Sequence, residues 1–261
     1  MINTKIGIIG CGNMGEALIK GLYAKHKVCV CETNAPRVKY LRSKYRGIVL
    51  GDLKIVEAAS VIIFAVKPQD MEILLKQVPP GKDKLFISIA AGLTTKFFEK
   101  HLGGKVRVVR AMPNMPALIG EGITAISAGR YATAADLKTV KNILQSIGQV
   151  VIVKESMIDA VTAVSGSGPA YVFLFVEQWI NAAKKLGFNE PQAKQLVYKT
   201  LLGSAHLLDQ SPFEASDLRV KVTSKGGTTQ AAMDVFSKGK FDQLMFKALL
   251  AAKKRAKELA K

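Results

Sequence analysis

The run SVIIFAV, residues 60–66, is apolar at every position but the first. It is shorter than an ordinary buried helix and does not alternate as a half-exposed strand does. A strand of this kind is buried on both faces, the usual state inside a parallel sheet covered by helices on both sides. Comparable runs recur at short intervals: KIGIIG (5–10), VCVCE (28–32), IVL (48–50), KLFISIA (84–90), KVRVVRA (105–111), GITAIS (122–127) and VVIV (150–153). Helix-like stretches lie between them, at Asn13–Ala24, from Ala35, at 52–59 with Asp52 as the cap, at 67–78, at Thr94–His101 and at 136–148. Strands alternating with helices predict an α/β fold with a parallel sheet.

The alternation stops near Lys154. Beyond it apolar residues recur at helical spacing, and helices are expected over 169–187, 191–210, 214–222, 228–236 and from Phe241 to the end. The chain is therefore read as two domains: an N-terminal α/β domain over 1–153 and an all-helical domain over 154–261. The segment AYVFLFVEQWI (170–180) is apolar almost all round, so its helix must be covered on more than one side. A domain of about 108 residues has little else to cover it with, which points to a second subunit.

The glycine spacing in IGCGNMG (9–15) is G-x-G-x-x-G, set after an apolar strand and before a helix. Gly10 permits a tight turn, Gly12 lets backbone approach a pyrophosphate, and Gly15 lets helix and strand pack closely. The helix start offers free N–H groups and the positive end of its dipole. The expected ligand is a nicotinamide dinucleotide, held by Gly10, Cys11, Gly12, Asn13, Met14 and Gly15. Glu32, at the end of the second strand, can accept the adenine-ribose hydroxyls of NADH. Asn34 and Arg37, just beyond, can hold the 2′-phosphate of NADPH. Both cofactors stay open.

Composition narrows the function further. No segment reaches the roughly 18 consecutive apolar residues of a membrane helix, and the chain enters a strand pattern at once, so neither membrane nor signal peptide is expected. Three cysteines, Cys11, Cys29 and Cys31, form no metal or C-x-x-C spacing, and are read as buried thiols of a cytoplasmic protein with no metal. The net charge of +18 is spread along helix faces without an RNA-binding aromatic signature, so nucleic acid is not the expected partner. His26, His101 and His206 lie outside every motif and are read as structural.

IGCGNMG (9–15), AVKPQ (65–69), SIAAG (88–92), RAMPNMPA (110–117), AVSGSGPAY (163–171) and TSKGGTT (223–229) follow one another as in the pyrroline-5-carboxylate reductases, which the chain resembles from residue 5 to about 240. The resemblance implies hydride transfer from NADPH or NADH to the C5 imine carbon of 1-pyrroline-5-carboxylate, giving L-proline. It also implies an N-terminal Rossmann-type domain and a helical C-terminal domain that interlocks into a homodimer, and in some members a ring of dimers. Ala65, Val66, Lys67 and Pro68 would line the cofactor pocket with Ala91 and Gly92, and Asn114 would reach nicotinamide or substrate. Ser224, Gly226, Gly227 and Thr228 would bind the substrate carboxylate, and Thr229 would hydrogen-bond the imine nitrogen as the catalytic residue.

The glycines of TSKGGTT independently suit an anion, since successive backbone N–H groups before a helix form a nest. The family usually has proline where this chain has Lys225, a looser residue that adds a cation beside the nest. A cyclic imine also explains the scarcity of acid–base residues: nitrogen protonation activates the carbon, and the protein chiefly positions the reactants. A β-hydroxyacid dehydrogenase would need a helix lysine in G-x-x-x-N-x-x-K. Asn181 and Lys184 are present, but Glu177 stands in the glycine's place.

Overall fold

The structure, a computed structural model, describes residues 4–78, 81 and 83–259. Eight strands form one sheet: β1 (Lys5–Ile9), β2 (Lys27–Cys31), β3 (Val49–Gly51), β4 (Val61–Phe64), β5 (Leu85–Ser88), β6 (Arg107–Met112), β7 (Gly122–Ala128) and β8 (Gly148–Ile152). Their order is β3-β2-β1-β4-β5-β6-β7-β8, which reverses between β1 and β4, the crevice where such sheets bind ligands.

Every expected strand is present, with ends displaced by at most two residues. The direction of the last two differs from expectation. β6 and β7 pair antiparallel, with Arg110 opposite Ser127, and β8 then runs parallel to β7. The cause is the link between β6 and β7, residues 113–121, which holds only a short 3₁₀ turn at Met115–Ile119. A parallel return needs a crossover of about a dozen residues or more.

Six helices accompany the strands: α1 (Asn13–Leu22), α2 (Ala35–Lys44), α3 (Leu53–Glu57), α4 (Met71–Leu75), α5 (Thr95–Leu102) and α6 (Ala134–Leu144). Successive strand residues face opposite sides and both sides are apolar. Ile6, Ile8 and Ile63 pack with Leu18, Leu41 and Val140 of α1, α2 and α6. Ile62, Phe64 and Phe86 pack with Val56, Met71 and Phe98 of α3, α4 and α5. Local signals start the helices: Asp52 accepts the Lys54 N–H, Thr94 the Phe97 N–H, and Thr133 forms a reciprocal cap with Asp136.

Beyond β8 no further strand occurs among the described residues. The helices are α7 (Ile158–Val161), α8 (Gly168–Lys185), α9 (Glu190–Gln210), α10 (Ala215–Lys221), α11 (Thr228–Lys238) and α12 (Phe241–Glu258). Pro169 sits in the first turn of α8, where its missing N–H costs nothing, and Gly187 follows the helix at φ 101°. The last two residues of the expected final helix lie outside the described residues. Between α7 and α8, residues Thr162–Gly166 form one π-helical turn.

The chain divides into two compact units. One is built on the sheet and runs to Pro169, joined by the chain from Ala251 on; the other spans Ala170–Leu250. Residues just beyond β8 are tied to the sheet unit. Ile158 is fully buried, Glu155 accepts the Thr95 N–H and hydroxyl, and Asp159 pairs with Arg110 at 3.0 Å. The helical unit has a small buried cluster of Ile180, Ala183, Ala193 and Val197. Along α8, Val172, Phe173, Leu174 and Phe175 are exposed.

The largely helical stretch Glu155–Lys185 is long and apolar enough by composition to cross a membrane, and 11% of its most apolar 18 residues are buried. Counting consecutive apolar residues misses this run, because its glycines, serines and Glu177 interrupt the count while the mean stays high.

Candidate active site

The glycine loop sits between the C-terminal ends of β1 and β4. Gly10 has φ 89°, a left-handed conformation that L side chains rarely adopt. A side chain there would also strike Val66 and the Ala65 carbonyl, 2.7 and 2.9 Å from an added Cβ. Gly15 has no room either, since its Cβ would lie 2.3 Å from the Gly10 oxygen. Gly12 differs: a Cβ would meet nothing within 4 Å, so the space before it is open. Gly12 is the N-cap of α1 without a side-chain cap, leaving the first helical N–H groups, at Asn13, Met14 and Gly15, to face that space. These residues fit a pyrophosphate.

A cavity of about 870 Å³ opens beside the loop, lined among others by Gly10, Glu32, Thr33, Arg42, Asp52 and Val66. The second motif is therefore next to the first. Ala65 donates its N–H to the Ile9 carbonyl, Lys67 is exposed, and Pro68 opens a 3₁₀ turn. Ala91 and Gly92 follow β5, with Gly92 buried at φ 82°.

The residues expected at the adenine ribose are tied to the loop instead of standing free. Glu32 accepts the Cys11 N–H on Oε2 and the Asn34 N–H on Oε1, both at 2.8 Å. Asn34 caps α2 by accepting the Arg37 N–H at 2.9 Å. Arg37 donates from Nε to the Cys11 carbonyl at 2.6 Å. Cys11 itself is buried, and burial, with Glu32 nearby, pushes its thiol up to about 12, so it stays protonated.

Asn114 follows β6 and is buried; its Oδ1 accepts the Ile123 N–H at 2.9 Å, which fixes the amide. The sequence signal missed here is Arg110. A charge inside the apolar strand KVRVVRA implies a buried partner, and Arg110, 3% exposed, pairs with Asp159 and lies 3.9 Å from Glu155.

The TSKGGTT loop belongs to the helical unit. Gly227 donates to the Ser224 carbonyl at 3.0 Å, closing a turn with Gly226 at φ 73°. An added Cβ on Gly227 would lie 2.4 Å from Ser224 Oγ, so the turn is tight. Gly227 is the N-cap of α11, again without a side-chain cap, and Thr228 and Thr229 form its first turn. Ser224, Lys225, Gly226 and Thr228 are exposed and Thr229 is half-buried. Anions are favoured at such a helix start.

The other titratable residues are placed elsewhere. His101 Nδ1 contacts the Phe97 carbonyl, His206 is exposed on α9, and His26 has a buried Nδ1 without a hydrogen-bond partner. Burial, with Lys25 nearby, lowers the His26 pKa. Lys184, the candidate of the dehydrogenase reading, lies 3.6 Å from Glu190. All three cysteines are free and buried, and among the described residues no group of three His, Cys, Asp or Glu could hold a metal ion.

Comparison with known proteins supplies the decisive observation. A pyrroline-5-carboxylate reductase of Mycobacterium tuberculosis is 37% identical to this chain over 285 residues, covering 98% of the chain and 97% of that protein. The chain belongs to the pyrroline-5-carboxylate reductase family. A pyrroline-5-carboxylate reductase structure from Coxiella burnetii superposes with a TM-score of 0.91 at 35% identity, covering 99% of both chains. The Plasmodium falciparum pyrroline carboxylate reductase, solved with NADP bound, gives 0.87 at 30% identity over the whole of both chains. The family model described as pyrroline-5-carboxylate reductase dimerisation matches residues 155–259, which include α7 to α12. A model described as NADP oxidoreductase, coenzyme F420-dependent, matches residues 5–92, from β1 through Gly92.

Proposed function

We propose that this chain is a pyrroline-5-carboxylate reductase that reduces the C=N bond of 1-pyrroline-5-carboxylate to give L-proline, the last step of proline biosynthesis. The observation that carries this reading is the tight Ser224–Gly227 turn opening the uncapped α11, in a chain with full-length likeness to the family.

Function is divided between the domains, with residues 1–153 holding the dinucleotide and 154–261 the imino acid and the second subunit. Gly10 to Gly15 receive the pyrophosphate, with Ala65, Val66, Lys67, Pro68, Ala91 and Gly92 along the cofactor. Lys67, exposed, adds positive charge near the phosphates. A nicotinamide dinucleotide, NADPH or NADH, supplies the hydride when bound. No metal enters the reaction scheme. Ser224, Gly226, Gly227 and Thr228 form the seat of the substrate carboxylate, with Gly227 closing the turn onto the Ser224 carbonyl and the other N–H groups and hydroxyls donating. Thr229 hydrogen-bonds the imine nitrogen, and Asn114 borders the ring with its amide fixed by Ile123. The reactive carbon is activated by protonation of its own nitrogen, so these residues act chiefly by orientation.

The exposed apolar face of α8 is covered by the helical domain of a second copy. The functional form is a homodimer, or a ring of such dimers, in the cytoplasm, with no membrane or nucleic acid as partner.

Purified protein given racemic pyrroline-5-carboxylate should oxidise NADPH or NADH in an imine-dependent way, followed by loss of nicotinamide absorbance. Absence of turnover with either cofactor would sink the reading. Thr229→Ala should lower kcat/KM by about 10- to 100-fold, the weight of one hydrogen bond to a charged group. Unchanged kcat/KM would remove Thr229 from the chemistry.

A further inference from the structure

The glycine loop is gripped from behind by side chains of α1, α2 and the turn before α2. Cys11 is held at both its peptide groups. Its N–H donates to Glu32 Oε2 at 2.8 Å, and its carbonyl accepts from Arg37 Nε at 2.6 Å. Arg37 Nη2 lies 3.4 Å from the Gly12 carbonyl and 2.5 Å from Glu16 Oε2. The other Glu16 oxygen accepts from Tyr40 at 2.9 Å, Lys44 at 2.8 Å and Tyr45 at 3.0 Å. Asn34 closes the ring, accepting the Arg37 N–H and donating its own to Glu32 Oε1.

Charge and burial keep this arrangement in place. The Glu16 side chain is 13% exposed. Burial alone would raise its pKa, but hydrogen bonds from Lys44, Tyr40, Tyr45 and Arg37 outweigh it and bring the carboxyl down to about 2. Glu16 is therefore an anion at any working pH, and Arg37 stays seated between it and the loop carbonyls. The arginine that lines the cavity beside Glu32 is Arg42, not Arg37.

We infer that Arg37, seated by Glu16, is a positioning residue that pre-forms the Cys11–Gly12 backbone for the pyrophosphate of either nucleotide, and that it is not a receptor for a 2′-phosphate. The inference rests on the dinucleotide reading of this loop. A loop already in its bound conformation loses less freedom when the ligand arrives. Such a gain is shared by NADH and NADPH, whereas a phosphate ligand would serve NADPH alone.

The test is a fluorescence titration of the full-length protein with NADH and with NADPH, without imine, so it reads binding apart from turnover. Arg37→Ala should raise both Kd values by the same factor, about tenfold, leaving their ratio within about twofold of wild type. Glu16→Gln should shift both in the same direction by a smaller factor, about threefold. Added guanidinium ion should restore binding in Arg37→Ala, which general damage to the fold would not allow. Weakening confined to NADPH would overturn the inference, and so would unchanged binding of both. Where Arg37→Ala does not fold, Arg37→Lys and Glu16→Gln carry the same comparison. A wild-type protein that binds nucleotide but leaves the imine untouched sinks the proposed reaction and spares this inference; one that binds neither nucleotide overturns this inference too.

Discussion

Phe64 and Phe173 are the same residue in two different settings. Phe64, on β4, is fully buried and stacks on Phe86 and Phe98 with ring centroids 5.7 and 5.6 Å apart. Phe173, on α8, is 58% exposed, beside Val172, Leu174 and Phe175, also exposed. The sheet unit covers its apolar residues with its own helices, three on each face. The helical unit buries a handful of small and medium side chains and leaves its large ones outward. Apolar surface on this scale marks an interface. In the sheet unit stability is a property of the chain; in the helical unit, on the proposed homodimer, it depends on how many chains are present.

The largest effect expected from this contrast is at Phe64. Phe64→Ala should cost about 3–5 kcal/mol, from lost transfer energy and an unfilled cavity. Chemical denaturation should return the same loss at every protein concentration; a loss that grew on dilution would tie the sheet to the second subunit as well.

Phe173→Ala should cost less, about 1–3 kcal/mol, and only where chains are associated. Its denaturation midpoint should fall on dilution, together with the average mass in sedimentation. A midpoint independent of concentration would mean that a second copy does not cover this face of α8.

The smallest effect is local. Lys240 holds φ 53° between α11 and α12, and is the sole non-glycine with positive φ among the described residues. Lys240→Gly should relieve that conformation and stabilise the helical unit by about 0.5–1 kcal/mol, seen as a small rise in Tm. A fall in Tm would show that the lysine side chain contributes more than its backbone costs.

How far these features are legible in the sequence depends on their range. The strands announce themselves because burial on both faces demands unbroken apolar runs such as VIIF and LFIS. The glycine loop is legible for a similar reason: Gly10 and Gly15 have no space for a side chain, so composition reports geometry directly. The direction of β7 is not written in GITAIS, which would serve either way; its signal is the short link over 113–121. The π-helical turn at Thr162–Gly166 hides among small residues with no strong local preference. The grip on Cys11 is harder still, because Glu16, Glu32 and Arg37 meet only once β1, α1 and α2 are packed. Tyr40 and Lys44, four residues apart on one face of α2, are its only sequence trace.

The order of these features along the chain has a consequence for synthesis. Among the described residues all eight strands lie before residue 153, so the sheet's hydrogen-bonded partners are made before α8 begins. At roughly 5–20 residues per second, residues 154–261 take about 5–20 s to translate. During that interval the sheet can close while its polypeptide is still attached to the ribosome. In the proposed homodimer the nascent α8 has no such option, because what covers it is on another polypeptide. Ribosomes crowded on one message would shorten that wait, and a chain released alone carries its apolar helix into the cell uncovered, as a client for chaperones.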